Sequence, residues 1–125
     1  MGKFVVRATE KGSRFNLVAG NGQVIATSQT YKSLRTCLAG IKSVQANAPV
    51  AAIEDQSQEE VEKQKCPKFE IYQDKAGEFR FRLRAKNGQN IAASEGYTQL
   101  RSCLNGIASV QKNAPEAEVV MEEKK

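Results

Sequence analysis

Asn87-Gly88-Gln89 closes the run Phe79-Arg80-Phe81-Arg82-Leu83-Arg84-Ala85-Lys86, and the same tripeptide, Asn21-Gly22-Gln23, stands 66 residues earlier. With the two superposed, the match runs without a gap from Phe15/Phe81 to Pro49/Pro115. Leu17/Leu83, Ile25/Ile91, Tyr31/Tyr97, Cys37/Cys103, Gly40/Gly106, Ile41/Ile107 and Asn47/Asn113 are identical pairs within it. Self-similarity at a fixed period marks a duplicated structural unit. Upstream, Lys3-Phe4 meets Lys68-Phe69 at an offset of 65, so the copies differ by one residue in their first turn, where length changes are tolerated.

Each copy reads as strands followed by one helix. In Lys68 to Gln73, Phe69 and Ile71 alternate with Lys68, Glu70 and Tyr72, the period of two of a half-buried strand. After the turn Asp74-Lys75-Ala76-Gly77, a second strand sets Phe79, Phe81, Leu83 and Ala85 against Glu78, Arg80, Arg82 and Arg84, one face oily and the other charged. Asn87-Gly88 is a hairpin signal, expected as a type I′ turn because both of its central residues need positive φ. A third strand is expected near Gln89 to Ala93.

Beyond Tyr97 the period changes. Leu100, Cys103, Leu104, Ile107 and Val110 recur at helical spacing, with Thr98 placed to cap the start and Asn113-Ala114-Pro115 to end the helix. The first copy repeats this with Leu34, Cys37, Leu38, Ile41 and Val44, then Asn47-Ala48-Pro49. Val50 to Ile53 and Ala117 to Met121 read as a fourth strand in each copy. Glycine inside a helix costs about 1 kcal/mol relative to alanine, so Gly40 and Gly106 need a reason. With Thr36 and Ser43, or Ser102 and Ser109, they form a stripe of small residues, and the expectation is two neighbouring helices on one face of a sheet, touching through that stripe.

Composition narrows the class. The 125 residues are 40% hydrophobic and 26% charged, ordinary values for a folded, soluble domain. Met1 to Val18 shows no leader-like apolar run, and no stretch approaches the roughly 20 apolar residues of a membrane-spanning helix. Cys37, Cys66 and Cys103 form an odd set without metal-ligand spacing, which suits free thiols in a reducing cytoplasm. The net charge of +5 is uneven: residues 1–53 carry seven cations and one anion, whereas residues 54–65 carry two cations and five anions. The repeat bodies are basic; the connector and the tail are acidic.

The stretches Phe69-Glu70-Ile71-Tyr72, Phe79-Arg80-Phe81-Arg82-Leu83, Asn87-Gly88-Gln89, Ser94-Glu95-Gly96-Tyr97 and Leu104-Asn105-Gly106-Ile107-Ala108-Ser109-Val110 resemble the YegP-like family of small bacterial proteins of unknown function. The likeness covers nearly the whole chain, once per copy. Thr27-Ser28-Gln29-Thr30-Tyr31 departs from the Ser-Glu-Gly-Tyr ending, and Ala39 stands where the second copy has Asn105. The resemblance implies a strand-strand-strand-helix-strand unit, present in tandem or as two subunits, in which the last strand of each unit pairs within the other unit's part of one sheet. The family offers no catalytic residues to carry over. The expected fold is therefore α+β: tandem β-β-β-α-β repeats forming one mostly antiparallel sheet, with two helices on one face and exchanged C-terminal strands. One pseudo-symmetric domain over 1–125 is divided into repeat one at 3–54, a connector at 55–67, repeat two at 68–121 and a frayed tail at 122–125.

Chemistry is sparse. Histidine is absent, which removes the commonest proton shuttle near neutral pH and the commonest metal ligand. No glycine-rich phosphate loop is present. Cys37 and Cys103 fall on the apolar helix faces and read as small buried hydrophobes; Cys66, in the connector, reads as exposed. Glu54, Asp55, Glu59, Glu60 and Glu62 read as a solvated acidic run. The sharpest candidate site is the stripe Arg80, Arg82, Arg84 and Lys86, which could meet phosphates with Tyr72 as a stacking surface. Against it, Glu70 is placed to pair with Arg82, and the first copy carries Arg14, Asn16 and Val18 at the matching places. The expected function is a non-enzymatic protein-interaction module, monomeric with an internal pseudo-dimer, using an exposed sheet face or edge for an unnamed protein partner. It needs no cofactor, metal or membrane; the alternative is weak polyanion or nucleic-acid binding through the basic stripe.

Overall fold

The computed structural model describes residues 2–122. Repeat one gives β1 (Lys3–Thr9), β2 (Gly12–Val18), β3 (Val24–Thr27), α1 (Leu34–Asn47) and, after a 3-10 turn at Ala48–Val50, β4 (Ala52–Asp55). Repeat two gives β5 (Lys68–Gln73), β6 (Phe79–Arg84), β7 (Asn90–Ala93), α2 (Leu100–Asn113), a 3-10 turn at Ala114–Glu116 and β8 (Glu118–Glu122). The fourth strands begin later than the apolar pattern suggests, because the 3-10 turns Ala48–Val50 and Ala114–Glu116, with Pro49 and Pro115 at their starts, end on Ala51 and Ala117 as caps and so defer the strands to Ala52 and Glu118. Glu122, expected in the tail, closes β8; the rest of that expected tail, 123–125, lies outside the described residues.

All eight strands form one sheet in the order β4-β5-β6-β7-β3-β2-β1-β8. β4 of repeat one lies parallel to β5 of repeat two, β8 of repeat two lies parallel to β1 of repeat one, and the remaining neighbours are antiparallel. The last strands are thus exchanged, and the molecule is the mostly antiparallel α+β duplication that the repeat and the resemblance imply. The exchange is sewn by side chains: Gln45 Nε2 donates to the Ala117 carbonyl at 3.2 Å, and Gln111 Nε2 to the Ala48 carbonyl at 3.2 Å.

The core sits between the helices and one sheet face. Phe4 meets Phe15 edge-on at 5.5 Å and Tyr31 stacks on Phe15 at 6.3 Å; Phe69, Phe81 and Tyr97 repeat this at 5.8 and 6.4 Å. These rings, rather than a neighbouring helix, explain the helical glycines. A Cβ on Gly40 would lie 2.5 Å from Tyr31 Oη and 3.2 Å from Phe15; one on Gly106 would lie 2.5 Å from Tyr97 Oη and 3.0 Å from Phe81. The expected helix-to-helix contact through these glycines is therefore replaced by a contact of each helix with its own repeat's tyrosine.

Two local expectations also change. The Asn-Gly turns are not type I′: no non-glycine residue has positive φ among the described residues, while Gly22 and Gly88 both sit at +87°. Gly22 N donates to the Ala19 carbonyl and Ala19 N to that of Gln23, with the same pair at Gly88, Ala85 and Gln89. This is a three-residue turn closed by a left-handed glycine bulge, in which Asn21 Oδ1 and Asn87 Oδ1 accept the amides of Gln23 and Gln89. The cap of α2 falls on Gln99 rather than Thr98 and lacks a side-chain hydrogen bond, whereas Ser33 and Thr36 form a full capping box on α1.

Candidate functional site

Both helices cover the same sheet face, so the opposite, open face is where strand side chains remain free to meet something else. In repeat two this face carries the basic stripe. β6 holds Arg80, Arg82 and Arg84 opposite Tyr72, Glu70 and Lys68 of β5, and β4 sets Glu54 beside Glu70. The result is a charge network centred on Glu70. Arg82 Nε donates to Glu70 Oε1 at 2.6 Å and Arg84 Nε to the same oxygen at 2.5 Å; Lys68 Nζ lies 3.3 Å from Glu70 Oε2 and 2.9 Å from Glu54 Oε1. Gln56 Nε2 bridges the two carboxylates at 2.7 and 3.1 Å. Arg82 also lies 4.6 Å over the Tyr72 ring, within cation–π range. Arg80 stands apart, its Nε 2.7 Å from Asp74 Oδ2, and Lys86 is exposed in the turn beyond β6.

Glu54 is only 2% exposed, so it does not belong to the solvated acidic run expected of it, and its neighbour Glu70 is only 4% exposed. Burial alone would raise the Glu54 carboxyl; hydrogen bonds from Gln56, Lys68 and the Gln64 amide outweigh it and hold the group down at about 2. Glu70 is likewise held below the usual carboxylate range, burial being overcome by Arg82, Arg84 and Lys68. Both stay ionised at neutral pH and are poor proton donors there. The sequence reading missed Glu54 and Lys68 as members of this group, because β4 meets β5 only once the strands are exchanged. The alternation Lys68-x-Glu70 was the available signal.

The connector makes the cover. The Gln64 amide donates to Glu54 Oε1 at 2.8 Å, the Gln56 amide to the Ile71 carbonyl at 2.7 Å, and the Ala52 amide to the Pro67 carbonyl at 3.3 Å. The chain thus leaves β4, passes over the open face of this edge and returns to β5. Asp55, expected in the solvated run, ends β4 and accepts hydrogen bonds from Ser57 and Gln58; Glu59, Glu60 and Glu62 are exposed.

Repeat one presents a different surface at the same place. Val5 replaces Glu70, Val18 replaces Arg84, Asn16 replaces Arg82 and Val120 replaces Glu54. Val5 and Val120 are half-buried.

The cysteines supply no reactive thiol on the helix side. Cys37 and Cys103 are fully buried; burial raises both, Cys103 to about 11 with Asp55 adding to the effect. Cys66, expected to be exposed, is half-buried beside the connector's end. No group of His, Cys, Asp and Glu able to hold a metal ion occurs among the described residues, and no helix there is long and apolar enough to cross a membrane.

This architecture defines a class: a tandem-repeat α+β protein in which two units exchange their last strands to complete one eight-stranded sheet. The family model described as a domain of unknown function, DUF1508, matches residues 8–55 and again 74–120, and the chain belongs to that family. A UPF0339 protein of Bordetella pertussis is 40% identical over 116 residues, 93% of this chain and 91% of that one. A UPF0339 protein of Stutzerimonas stutzeri is 71% identical over 48 residues, covering 38% of this chain and 43% of that protein. The solution structure of the Escherichia coli protein of unknown function yegP matches with a TM-score of 0.79 at 32% identity, over 99% of this chain and 95% of that one. The yegP structure shares this fold.

Proposed function

We propose that the chain is a non-enzymatic protein-interaction module that binds through the open face or free edge of its sheet. The carrying observation is that one whole sheet face lacks helical cover, while the polar groups gathered on it neutralise one another. A polyanion would have to displace Glu70 from Arg82 and Arg84, which weighs against the basic stripe as a phosphate site. Catalysis is disfavoured by the absence of histidine, by carboxylates locked in their ionised form and by thiols held protonated in the core. Three unpaired cysteines favour a reducing compartment, the cytoplasm, and the internal pairing of two repeats favours a monomer.

The test is retention of proteins from nuclease-treated lysate on the immobilised chain at low and high salt, with cross-links mapped. Protein retained at high salt and cross-linked to the open face or edge is the expected result. Retention that vanishes with nuclease treatment, or a log–log salt slope near about −2.7 on duplex DNA, the value for three phosphates, would replace this reading with the polyanion one.

A further inference from the structure

The sheet has two edges, and they are not equivalent. At the β4 edge, residues 56–67 pass over the open face, held there by the Gln64 and Gln56 contacts to Glu54 and Glu70, while the outer side of β4 has no further strand paired among the described residues and Ile53 is 42% exposed. At the β8 edge no further strand is paired among the described residues, and Val119 and Met121 are 42% and 48% exposed. A bare strand edge is a template for pairing with another extended chain, and proteins ordinarily blunt it with lysine, proline or a covering segment. β8, Glu118–Glu122, contains neither lysine nor proline.

The molecule shows what kind of strand β8 accepts. On its paired side it lies in parallel register with β1: Lys3 opposite Glu118, Phe4 opposite Val119, Val5 opposite Val120, Val6 opposite Met121 and Arg7 opposite Glu122. The accepted pattern is therefore basic, three apolar residues, basic. Side chains of a strand stand above and below the sheet and serve neighbours on both edges alike, so the free edge poses the same requirement. A single carboxylate on this sheet can serve more than one cation at once, as Glu70 does for Lys68 of its own strand and the two arginines of β6. A folded second copy does not offer this pattern on a free strand, since its own Lys3–Arg7 segment is paired on both edges by β2 and β8. Antiparallel self-pairing of β8 centred on Val120 sets residue 118 against residue 122, an acid opposite an acid, which is destabilising.

Resting on the interaction-module reading, we infer that the free edge of β8 receives by strand addition an extended segment of a partner protein, with three consecutive apolar residues flanked by lysine or arginine. Main-chain hydrogen bonds supply affinity in this mode, and the alternating side chains supply choice of sequence.

The probe is a blocked peptide with the sequence of residues 2–8 of this chain, Gly-Lys-Phe-Val-Val-Arg-Ala, titrated into the isotopically labelled full-length protein. The expected result is a set of amide shifts centred on residues 118–122. Binding should weaken at least tenfold when both basic residues of the peptide become glutamate, and at least tenfold with Met121→Lys or, independently, Val119→Lys. Ile53→Lys at the opposite edge should leave it unchanged. No shift up to roughly 1 mM peptide, or shifts centred on β4 or on Arg80 to Arg84, overturns the assignment. So does concentration-dependent dimerisation of the protein alone that Met121→Lys abolishes, since the occupant would then be a second copy. A lysate partner whose cross-links fall on the open face away from β8 overturns this edge assignment while leaving the interaction-module reading standing; loss of all protein retention overturns both.

Discussion

On the helix side the two repeats are near copies; on the open side they are opposites. Tyr31 and Tyr97 stack the same way on Phe15 and Phe81, at 6.3 and 6.4 Å, and each closes on its helical glycine at the same distance. Across the sheet, the place held on β4, β5 and β6 by Glu54, Glu70, Arg82 and Arg84 is held on β8, β1 and β2 by Val120, Val5, Asn16 and Val18. The difference follows from what covers each edge. The connector gives Glu54 an amide and a glutamine to bond with, so buried carboxylates there are fully satisfied; at β8 no such cover is paired, and valine needs none.

That contrast can be broken at its centre. Glu70→Ala strands Lys68, Arg82 and Arg84 and should lower unfolding free energy by about 2–3 kcal/mol, less than a fully buried pair loses because the arginines can rehydrate. Val5→Ala at the matching site should lose only about 1 kcal/mol. Urea denaturation of the two variants would reveal equal losses if the halves were energetically alike.

The symmetric side should answer symmetrically. Gly40→Ala and Gly106→Ala each press a methyl on a tyrosine hydroxyl and should each destabilise by about 1–3 kcal/mol, with Gly106→Leu worse still by calorimetric melting temperature. An unchanged melting temperature for Gly106→Leu would refute the close contact with Tyr97.

Acid should act on one half only. Glu54 and Glu70 have folded pKa values below their unfolded ones, so their stabilisation is complete above about 4.5 and is lost as pH falls toward about 2. Exchanging the β4–β5–β6 set for its counterpart on β8, β1 and β2, Glu54→Val, Glu70→Val, Arg82→Asn and Arg84→Val together, should flatten that part of the stability–pH curve. At neutral pH it should cost stability, since Lys68, its side chain only 14% exposed, loses both of its carboxylates and is left an unpaired, largely buried cation. A fall in stability that stays as steep in the exchanged variant would place the acid sensitivity elsewhere.

The smallest effects lie at the helix starts. Ser33→Ala should destabilise by about 1 kcal/mol through loss of the α1 capping box, and Gln99→Ser should stabilise by a similar or smaller amount by giving α2 the cap it lacks. Paired denaturation curves check both signs.

Legibility in the sequence followed the range of the interaction. The strand Phe79–Arg84 and both helices were readable because their periods are local, and the pairing of Glu70 with Arg82 because both lie on one hairpin. Glu54 was misassigned because its partners, Lys68 and Glu70, lie across a connector and meet it only after strand exchange. The helical glycines announced a close approach without naming what approaches, since a stripe of small residues fits a ring as well as a helix. The Asn-Gly turn was located correctly and mistyped, because Asn21 at negative φ with Gly22 at positive φ satisfies the same dipeptide.

By itself the sequence determined that a unit of strands and one helix occurs twice, which faces are apolar and where the chain turns, because periodicity and turn chemistry act between residues a few positions apart. Tertiary structure alone decided that Glu54 and Glu70 share Lys68, that Tyr31 and Tyr97 fill the helical glycines, and that among the described residues the connector covers the open face at β4 while nothing covers it at β8. Those outcomes depend on where the last strand of each repeat lands in the other, which brings together residues that no local pattern relates.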